Sequence, residues 1–165
     1  GFDVLVMGRP EGPGCYCYVN SLLRDIIAAI TANYDYVVID NAAGMEHISR
    51  RTMRDMSTLV LVSDYSIPGV RSARRIYDLA RDLGMRMSGA YLVINKVSGT
   101  LDALRDEIRK TGLATAGQIP YEEGVVAWNI SNKPLIGFAD SAIDASLARI
   151  MDTVLAARAD IAGKH

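Results

Sequence analysis

The 165-residue sequence is poor in several features, and each shortage excludes a class of protein. Charged residues make up 22% of the chain and the net charge is −1, which disfavours a nucleic-acid binder with a strong positive field. Half of the residues are hydrophobic, so intrinsic disorder is not expected. No apolar run reaches the length of a membrane span, and no signal peptide is recognisable. We therefore expect a folded cytoplasmic protein with no membrane span and no nucleic-acid partner.

Cysteine is scarce: the chain has only Cys15 and Cys17, framed by Gly12, Pro13 and Gly14. A disulfide between residues two apart would close a small, strained ring, so a structural disulfide is disfavoured. Two thiolates supply half of a tetrahedral soft-metal site, and a two-fold dimer would bring four of them together. The pair therefore predicts a metal held between two copies of the chain, with two free loop cysteines as the alternative.

Short apolar runs alternate with helical patterns, which is typical of a parallel sheet with helices on both faces. Pro68 suits the first turn of one helix and Gly84 its end. The predicted strands are Phe2–Met7, Tyr36–Ile39, Thr58–Val62, Ala90–Ile94 and Ala116–Ile119. No repeat or linker interrupts the pattern, so residues 1–165 are predicted to belong to a single three-layer α/β domain.

Ligands of such sheets bind beyond the carboxyl ends of the strands, where several informative residues fall. Asp40 ends the second predicted strand, either as a carboxylate near Mg²⁺ or as a turn aspartate. Gly44 follows Ala42 and Ala43, and such small residues let backbone N–H groups approach a phosphate. This segment is the candidate phosphate and Mg²⁺ site.

Two further strand ends carry residues suited to a nucleotide base. Asn95 and Lys96 close the fourth predicted strand, and the paired donor and acceptor of an Asn side chain can read a purine edge. A polar turn is the alternative. Pro120 closes the fifth strand, where the backbone would flank a base, unless this proline only starts a helix.

Several short segments, spread over nearly the whole chain, form a fairly specific combination. They are Met7–Gly8, Gly14–Cys17, Asn20–Arg24, Val38–His47, Ser72–Ile76, Asn95–Val97 and Ile119–Tyr121. Together they resemble the deviant-Walker P-loop ATPases of the MinD/ParA class, which have a SIMIBI-like P-loop NTPase fold. Within that class the resemblance is closest to the carbon monoxide dehydrogenase accessory ATPases, the CooC-type nickel-insertion factors.

The resemblance implies an ATP- and Mg²⁺-dependent homodimer that serves carbon monoxide dehydrogenase as its client. By position, Cys15 and Cys17 would bind Ni²⁺ or Zn²⁺ between the subunits. Asp40 would be the catalytic, Walker-B-like residue near Mg²⁺, and Gly44 would be the switch II glycine near the γ-phosphate.

In a protein of this kind, Asn95, Lys96 and Pro120 would lie around the adenine of ATP or ADP. One departure is large, because no Gly-x-x-x-x-Gly-Lys-Ser/Thr phosphate loop occurs in the sequence. The family carries that loop, together with its first strand and switch I aspartate, upstream of the matching region. We therefore expect the chain to be the carboxyl-terminal portion of a nucleotide-binding domain that does not hydrolyse ATP alone. The alternatives are that a separate chain supplies the missing front or that the chain is a degenerate relative.

Two other functions remain open. A MinD/ParA-type positioning ATPase would have no metal role and no need of the cysteine pair, whereas a non-catalytic metal-binding dimer module would explain the missing phosphate loop. Two predicted helices also have basic faces, which are either solvated surfaces or a docking site for an acidic client protein. Their basic residues are Arg50, Arg51, Arg54, Arg71, Arg74, Arg75 and Arg81.

Overall fold

The chain divides into two compact units, Gly1–Met53 and Arg54–His165, which we call the amino-terminal unit and the sheet unit. The computed structural model describes residues 1–6, 25–31, 33–41, 55–132, 134–135, 138 and 141–162. The assignment of residues 1–165 to a single domain stays a prediction.

Within the described residues, the sheet unit contains three parallel strands in the order β1-β2-β3. The strands are β1 (Asp55–Asp64), β2 (Arg86–Val97) and β3 (Ala114–Pro120). Each contains one of the apolar runs from which a strand was predicted. Their centres are apolar without alternation because a parallel sheet is covered on both faces. The predicted α/β class with a parallel sheet is confirmed.

Helices form the connections between the strands and continue after the last one. They are α1 (Ile67–Asp82), a 3₁₀ turn (Leu101–Leu104), α2 (Arg105–Thr111), α3 (Glu123–Ile130) and α4 (Ser141–Ala162). None of the helices that the structure describes is both long and apolar enough to cross a bilayer.

The helices cover both faces of the sheet, as the three-layer prediction requires. On one face, α1 and the 3₁₀ turn pack against Leu92 and Ile94 of β2, which are fully buried. On the other face, Val93 of β2 forms a smaller cluster with Ala116 and with Ile150 of α4. Successive strand residues point to opposite faces, so β2 contributes to both clusters. We call these the α1 face and the α4 face.

Helix α1 begins and ends where its sequence signals predict. Ser66 is the N-cap, and its Oγ accepts a hydrogen bond from the Gly69 N–H at 3.0 Å. Pro68 lies in the first turn, where its missing N–H has no helical partner to lose. Gly84 follows the C-cap with a φ of +70°, a conformation that glycine adopts without strain.

The amino-terminal unit differs from the prediction. Residues 25–31 are helical, in agreement with their apolar spacing. The strands predicted at 2–7 and 36–39 are wrong for the residues described, because 1–6 and 36–41 have no regular secondary structure and Val38 is 89% exposed. An apolar run forms a strand only when a neighbouring strand pairs with its backbone N–H and C=O groups. No described residue of this unit is in a strand.

Helix α4 has an apolar stripe along one side, but only part of that stripe packs against the sheet. Ile150 is buried and Val154 packs beside it, but Leu147 and Met151 are 44% and 49% exposed. Gly117 of β3 allows α4 to lie close to the sheet, since a Cβ at this position would be 2.6 Å from Ile150 Cγ1. The contact is therefore centred on Ile150, and one side of the stripe lies outside it.

Candidate functional site

The three strands end at one edge of the sheet, which we call the carboxyl edge. Asp64, the last residue of β1, is the register partner of Asn95 in β2. Val97 ends β2 and is the register partner of Pro120, the last residue of β3. The Tyr121 N–H donates to the Val97 carbonyl oxygen at 3.0 Å. The residues predicted to surround adenine are thus brought to one edge, and their contact with a base stays a prediction.

Asn95 and Lys96 form an irregular turn within the last residues of β2. The Asn95 Oδ1 accepts a hydrogen bond from the Lys96 backbone N–H at 2.9 Å. Lys96 has a φ of +57°, a left-handed conformation that is uncommon for a residue with a side chain. The register with β3 shifts at this point, as it does at bulges that redirect side chains near functional sites. The turn uses only the oxygen of the Asn95 amide, so its NH₂ group suits an acceptor atom on a base.

Asp64 also lies at the carboxyl edge, although it was not predicted as a site residue. Its Oδ1 accepts a hydrogen bond from the Ser66 hydroxyl at 2.7 Å. A Cβ on Gly69 would lie 1.9 Å from the same oxygen, so the glycine lets the carboxylate approach the first turn of α1. A carboxylate is favourable at this end of a helix. The sequence signal was available, because Asp64 ends an apolar strand in the same way that singled out Asp40.

Hydrogen bonds to backbone carbonyls connect the loops of the carboxyl edge. The Tyr65 hydroxyl donates to the Thr100 carbonyl oxygen at 2.5 Å and so joins the β1–α1 turn to the loop after β2. The bond from Tyr121 to Val97 joins the ends of β2 and β3. The polar groups of this edge are therefore held on linked loops, which favours a fixed binding geometry.

The other predicted site residues lie elsewhere. Asp40 belongs to the amino-terminal unit, where it is exposed and outside any helix or strand. Cys15, Cys17 and Gly44 lie outside the described residues. Across the parts of the chain that are described, no three His, Cys, Asp or Glu side chains come together as metal ligands. The catalytic and metal-binding roles stay predictions.

The polar groups of the carboxyl edge suit the base of a nucleotide better than its phosphates. The first turn of α1 already faces the Asp64 carboxylate, which would repel a phosphate. The Asn95 amide is neutral and carries both donor and acceptor groups, as recognition of a planar base requires. The residues present therefore fit a base and do not form a phosphate cradle.

Sequence comparison finds relatives that are longer than this chain. An uncharacterized ATP-binding protein of Methanocaldococcus jannaschii is 42% identical over 135 residues, which are 81% of this chain and 53% of the relative. The carbon monoxide dehydrogenase accessory protein CooC of Rhodospirillum rubrum is 31% identical over 130 residues, 77% of this chain and 49% of CooC. The chain spans about half the length of these curated relatives. It matches no model of a known protein family.

Solved structures of MinD proteins share the fold. The MinD cell division protein of Aquifex aeolicus superposes with a TM-score of 0.64 at 19% identity, over 88% of this chain and 61% of MinD. The cell division ATPase MinD of Pyrococcus furiosus gives 0.62 at 12% identity, over 82% and 58%. Identities this low speak for the fold alone, which is that of the P-loop NTPases. The CooC relative assigns the chain to the CooC-type members of the MinD/ParA class of P-loop ATPases, and the shared fold agrees with this assignment.

Proposed function

We propose that the chain is the adenine-binding portion of an ATP-dependent maturation factor that inserts nickel into carbon monoxide dehydrogenase. The observation that carries the proposal is the 31% identity to CooC across 77% of the chain. A relative described as ATP-binding supports the nucleotide part.

At the carboxyl edge, Asn95, Lys96 and Pro120 would hold the adenine of ATP or ADP. The bulged turn of β2 supports this assignment, because Asn95 lies at the point where the register with β3 shifts, just before Val97 pairs with Pro120. Asp40 would act near Mg²⁺ and Gly44 near the γ-phosphate. Bound ATP would supply the free energy for a dimer cycle. The chain has no phosphate-loop lysine, so we expect no ATP hydrolysis from it alone.

The metal is cargo in this proposal. Cys15 and Cys17 of each of two subunits would supply four thiolates, a ligand set suited to Zn²⁺ or Ni²⁺. A homodimer is needed because one chain contributes only two cysteines. The CooC relative supports carbon monoxide dehydrogenase as the client.

A second candidate is a non-catalytic, metal-binding dimer module, which the absence of a phosphate-loop motif favours. A positioning ATPase of the MinD type is a third candidate, favoured by the shared fold. The cysteine pair separates the third candidate from the other two, because a positioning ATPase has no use for a thiolate site. ATP binding at the carboxyl edge separates the maturation factor from the non-catalytic module.

A metal titration followed by sedimentation tests the proposal. We expect about one Zn²⁺ or Ni²⁺ per dimer, with a sulfur-to-metal absorption band, and loss of both the ion and the dimer in Cys15→Ser/Cys17→Ser. His47→Ala is the control, since it removes a histidine that could also bind Zn²⁺ or Ni²⁺ and should leave the stoichiometry unchanged.

Two results would contradict the proposal. Tight metal binding by a monomer, or binding that survives the double substitution, would exclude a site shared between subunits. ATP hydrolysis by the 165-residue chain at ordinary P-loop ATPase rates would refute the interpretation of the missing phosphate loop.

A further inference from the structure

A groove between α1 and α2 on the α1 face is rich in positive charge. Four of its lining side chains are cationic and one is a carboxylate, although the whole chain has a net charge of −1. We call it the basic groove, and it is lined by Arg71, Arg74, Arg75, Glu107, Lys110 and Thr111. Its local charge therefore differs in sign from that of the chain as a whole.

Glu107 holds two of these cations in place. Arg71 donates from Nε and Nη2 to the two Glu107 carboxylate oxygens, both at 3.1 Å, and Lys110 Nζ donates to Oε1 at 2.8 Å. The hydrogen bonds from Arg71 and then Lys110 lower the pKa of Glu107 to about 2, so it stays ionised. The Glu107 side chain is only 15% exposed, whereas Arg71 and Lys110 are 62% and 67% exposed. The carboxylate thus forms the floor between two exposed cations.

Arg74 fixes the two helices that form the walls. Its Nε donates to Asp78 at 2.7 Å, and its Nη1 donates to the carbonyl oxygens of Lys110 and Thr111 at 3.0 and 2.8 Å. The last carbonyls of α2 are thereby bonded to a side chain of α1. Arg74 therefore links the two helices that line the groove.

Arg75 is the cation with the most unused hydrogen-bonding capacity. Its Nη2 donates to the Ser72 hydroxyl at 3.0 Å, and no carboxylate pairs with it among the residues that the structure describes. A guanidinium carries five N–H donors in a fork that matches a carboxylate. Arg75 therefore adds an exposed, uncompensated charge beside Arg71 and Lys110.

We propose that the basic groove docks an acidic segment of a partner protein, whose Asp or Glu side chains bind Arg71, Arg75 and Lys110. Separate carboxylates on a peptide can lie on either side of Glu107, whereas the continuous charge of a nucleic-acid backbone would meet it directly. The net negative charge of the chain also favours a protein partner over a nucleic acid. Exposed charges of this kind determine partner choice and association rate more than total affinity.

This docking site is independent of the proposed function, because it needs neither the metal nor the nucleotide. Two arginines on opposite faces of the sheet provide a matched test. Arg75 Nη2 donates to the Ser72 hydroxyl at 3.0 Å on α1, and Arg149 Nη2 donates to the Ser146 hydroxyl at 3.1 Å on α4. Replacing either by glutamine removes the same charge and the same type of hydrogen bond.

The experiment measures binding of a fluorescent polyglutamate peptide to the 165-residue chain at low salt. We expect Arg75→Gln to weaken binding about fivefold and Arg149→Gln to leave it within about twofold. Added salt should weaken the wild-type complex. Amide chemical-shift changes should fall on α1 and α2, and circular dichroism should show that both variants are folded.

Three results would overturn the inference. Equal losses in the two variants would mean that only net charge matters. Absence of peptide binding at low salt would remove the site. Tighter binding of a single-stranded oligonucleotide of equal charge would identify a nucleic acid as the partner class.

Discussion

The two faces of the sheet are covered to different extents. On the α1 face, the helices and the 3₁₀ turn enclose a cluster of buried residues. These residues come from β1, β2, α1, the 3₁₀ turn and the segment that follows α2. On the α4 face, the corresponding cluster among the described residues consists of Val93, Ala116 and Ile150. The α1-face cluster comprises Leu61, Val70, Ala73, Leu92, Ile94, Val97, Leu104 and Leu113.

Neighbouring residues of strand β1 show this difference in coverage between the two faces. Leu61 faces α1 and is 5% exposed, but its neighbours Val60 and Val62 face the other way and are 41% and 62% exposed. All three are equally apolar, so composition does not separate them. Burial here depends on whether a helix lies over that part of the sheet, and among the described residues α4 packs on β3 and β2.

Truncating one isoleucine on each face should give the largest effect and the sharpest contrast. Ile94→Ala removes a fully buried side chain from the α1-face cluster and should cost about 4 kcal/mol of unfolding free energy. Ile150→Ala removes the same atoms from the smaller cluster and should cost about 2 kcal/mol, because its surroundings can relax. Urea unfolding followed by circular dichroism measures both. Equal costs would show that the α4 face is packed as completely as the α1 face.

A loss of stability of intermediate size is expected when acid protonates Glu107 on the α1 face. The pKa of Glu107 is lowered by Arg71 and Lys110 from 4.5 to about 2, so folding favours the ionised form. The stabilisation is present above pH 4.5 and is lost as the pH falls from 4.5 towards 2. The urea midpoint of the wild type should therefore fall more between about pH 6 and about pH 3 than that of Glu107→Gln.

The control for this pH effect is Asp106→Asn, the neighbouring carboxylate of α2. Asp106 is 74% exposed, and among the described residues its ion-pair partner is Arg109. Its replacement should leave the wild-type pH dependence nearly intact, because an exposed pair contributes little. A pH dependence that Glu107→Gln does not change would mean that packing and the Arg74 hydrogen bonds, without this ion pair, hold α2 against α1.

The smallest effect is expected at Val62. Val62→Thr places a hydroxyl at a position that is 62% exposed, so the change in unfolding free energy should be about 0.5 kcal/mol or less. Val93 is its register partner on the same face and is 2% exposed, so Val93→Thr should cost roughly 2 kcal/mol for burying the hydroxyl. Similar losses at both positions, measured by urea unfolding, would reveal that something covers Val62 in solution.

The sequence predicted the sheet unit well because its signals there are local. Apolar runs rich in branched residues mark the three strands, and Pro68 and Gly84 mark the ends of α1. The runs at 2–7 and 36–39 carry the same local signal. An apolar run does not reveal whether a partner strand is present, so those two predictions failed for the described residues.

The candidate site was predictable in part for the same reason. Asn95 and Pro120 meet at one edge because parallel strands end together, a rule that needs no knowledge of side-chain contacts. Asp64 ends an apolar strand as Asp40 does, so its position was predictable; its contact with Ser66 and Gly69 was not, because that contact depends on the exact turn into α1. The left-handed conformation of Lys96 also gives no signal in the sequence, since it arises where β2 shifts its register.

That turn at Lys96 has a consequence for any ligand of the carboxyl edge. The backbone N–H of Lys96 already holds the Asn95 oxygen, so the amide plane of Asn95 is oriented before anything binds. A base that reaches this side chain meets a pre-organised group and loses little rotamer entropy in ordering it. Selectivity between bases would then depend on the fixed orientation of the Asn95 amide. The left-handed backbone of Lys96 accompanies the hydrogen bond that fixes this orientation.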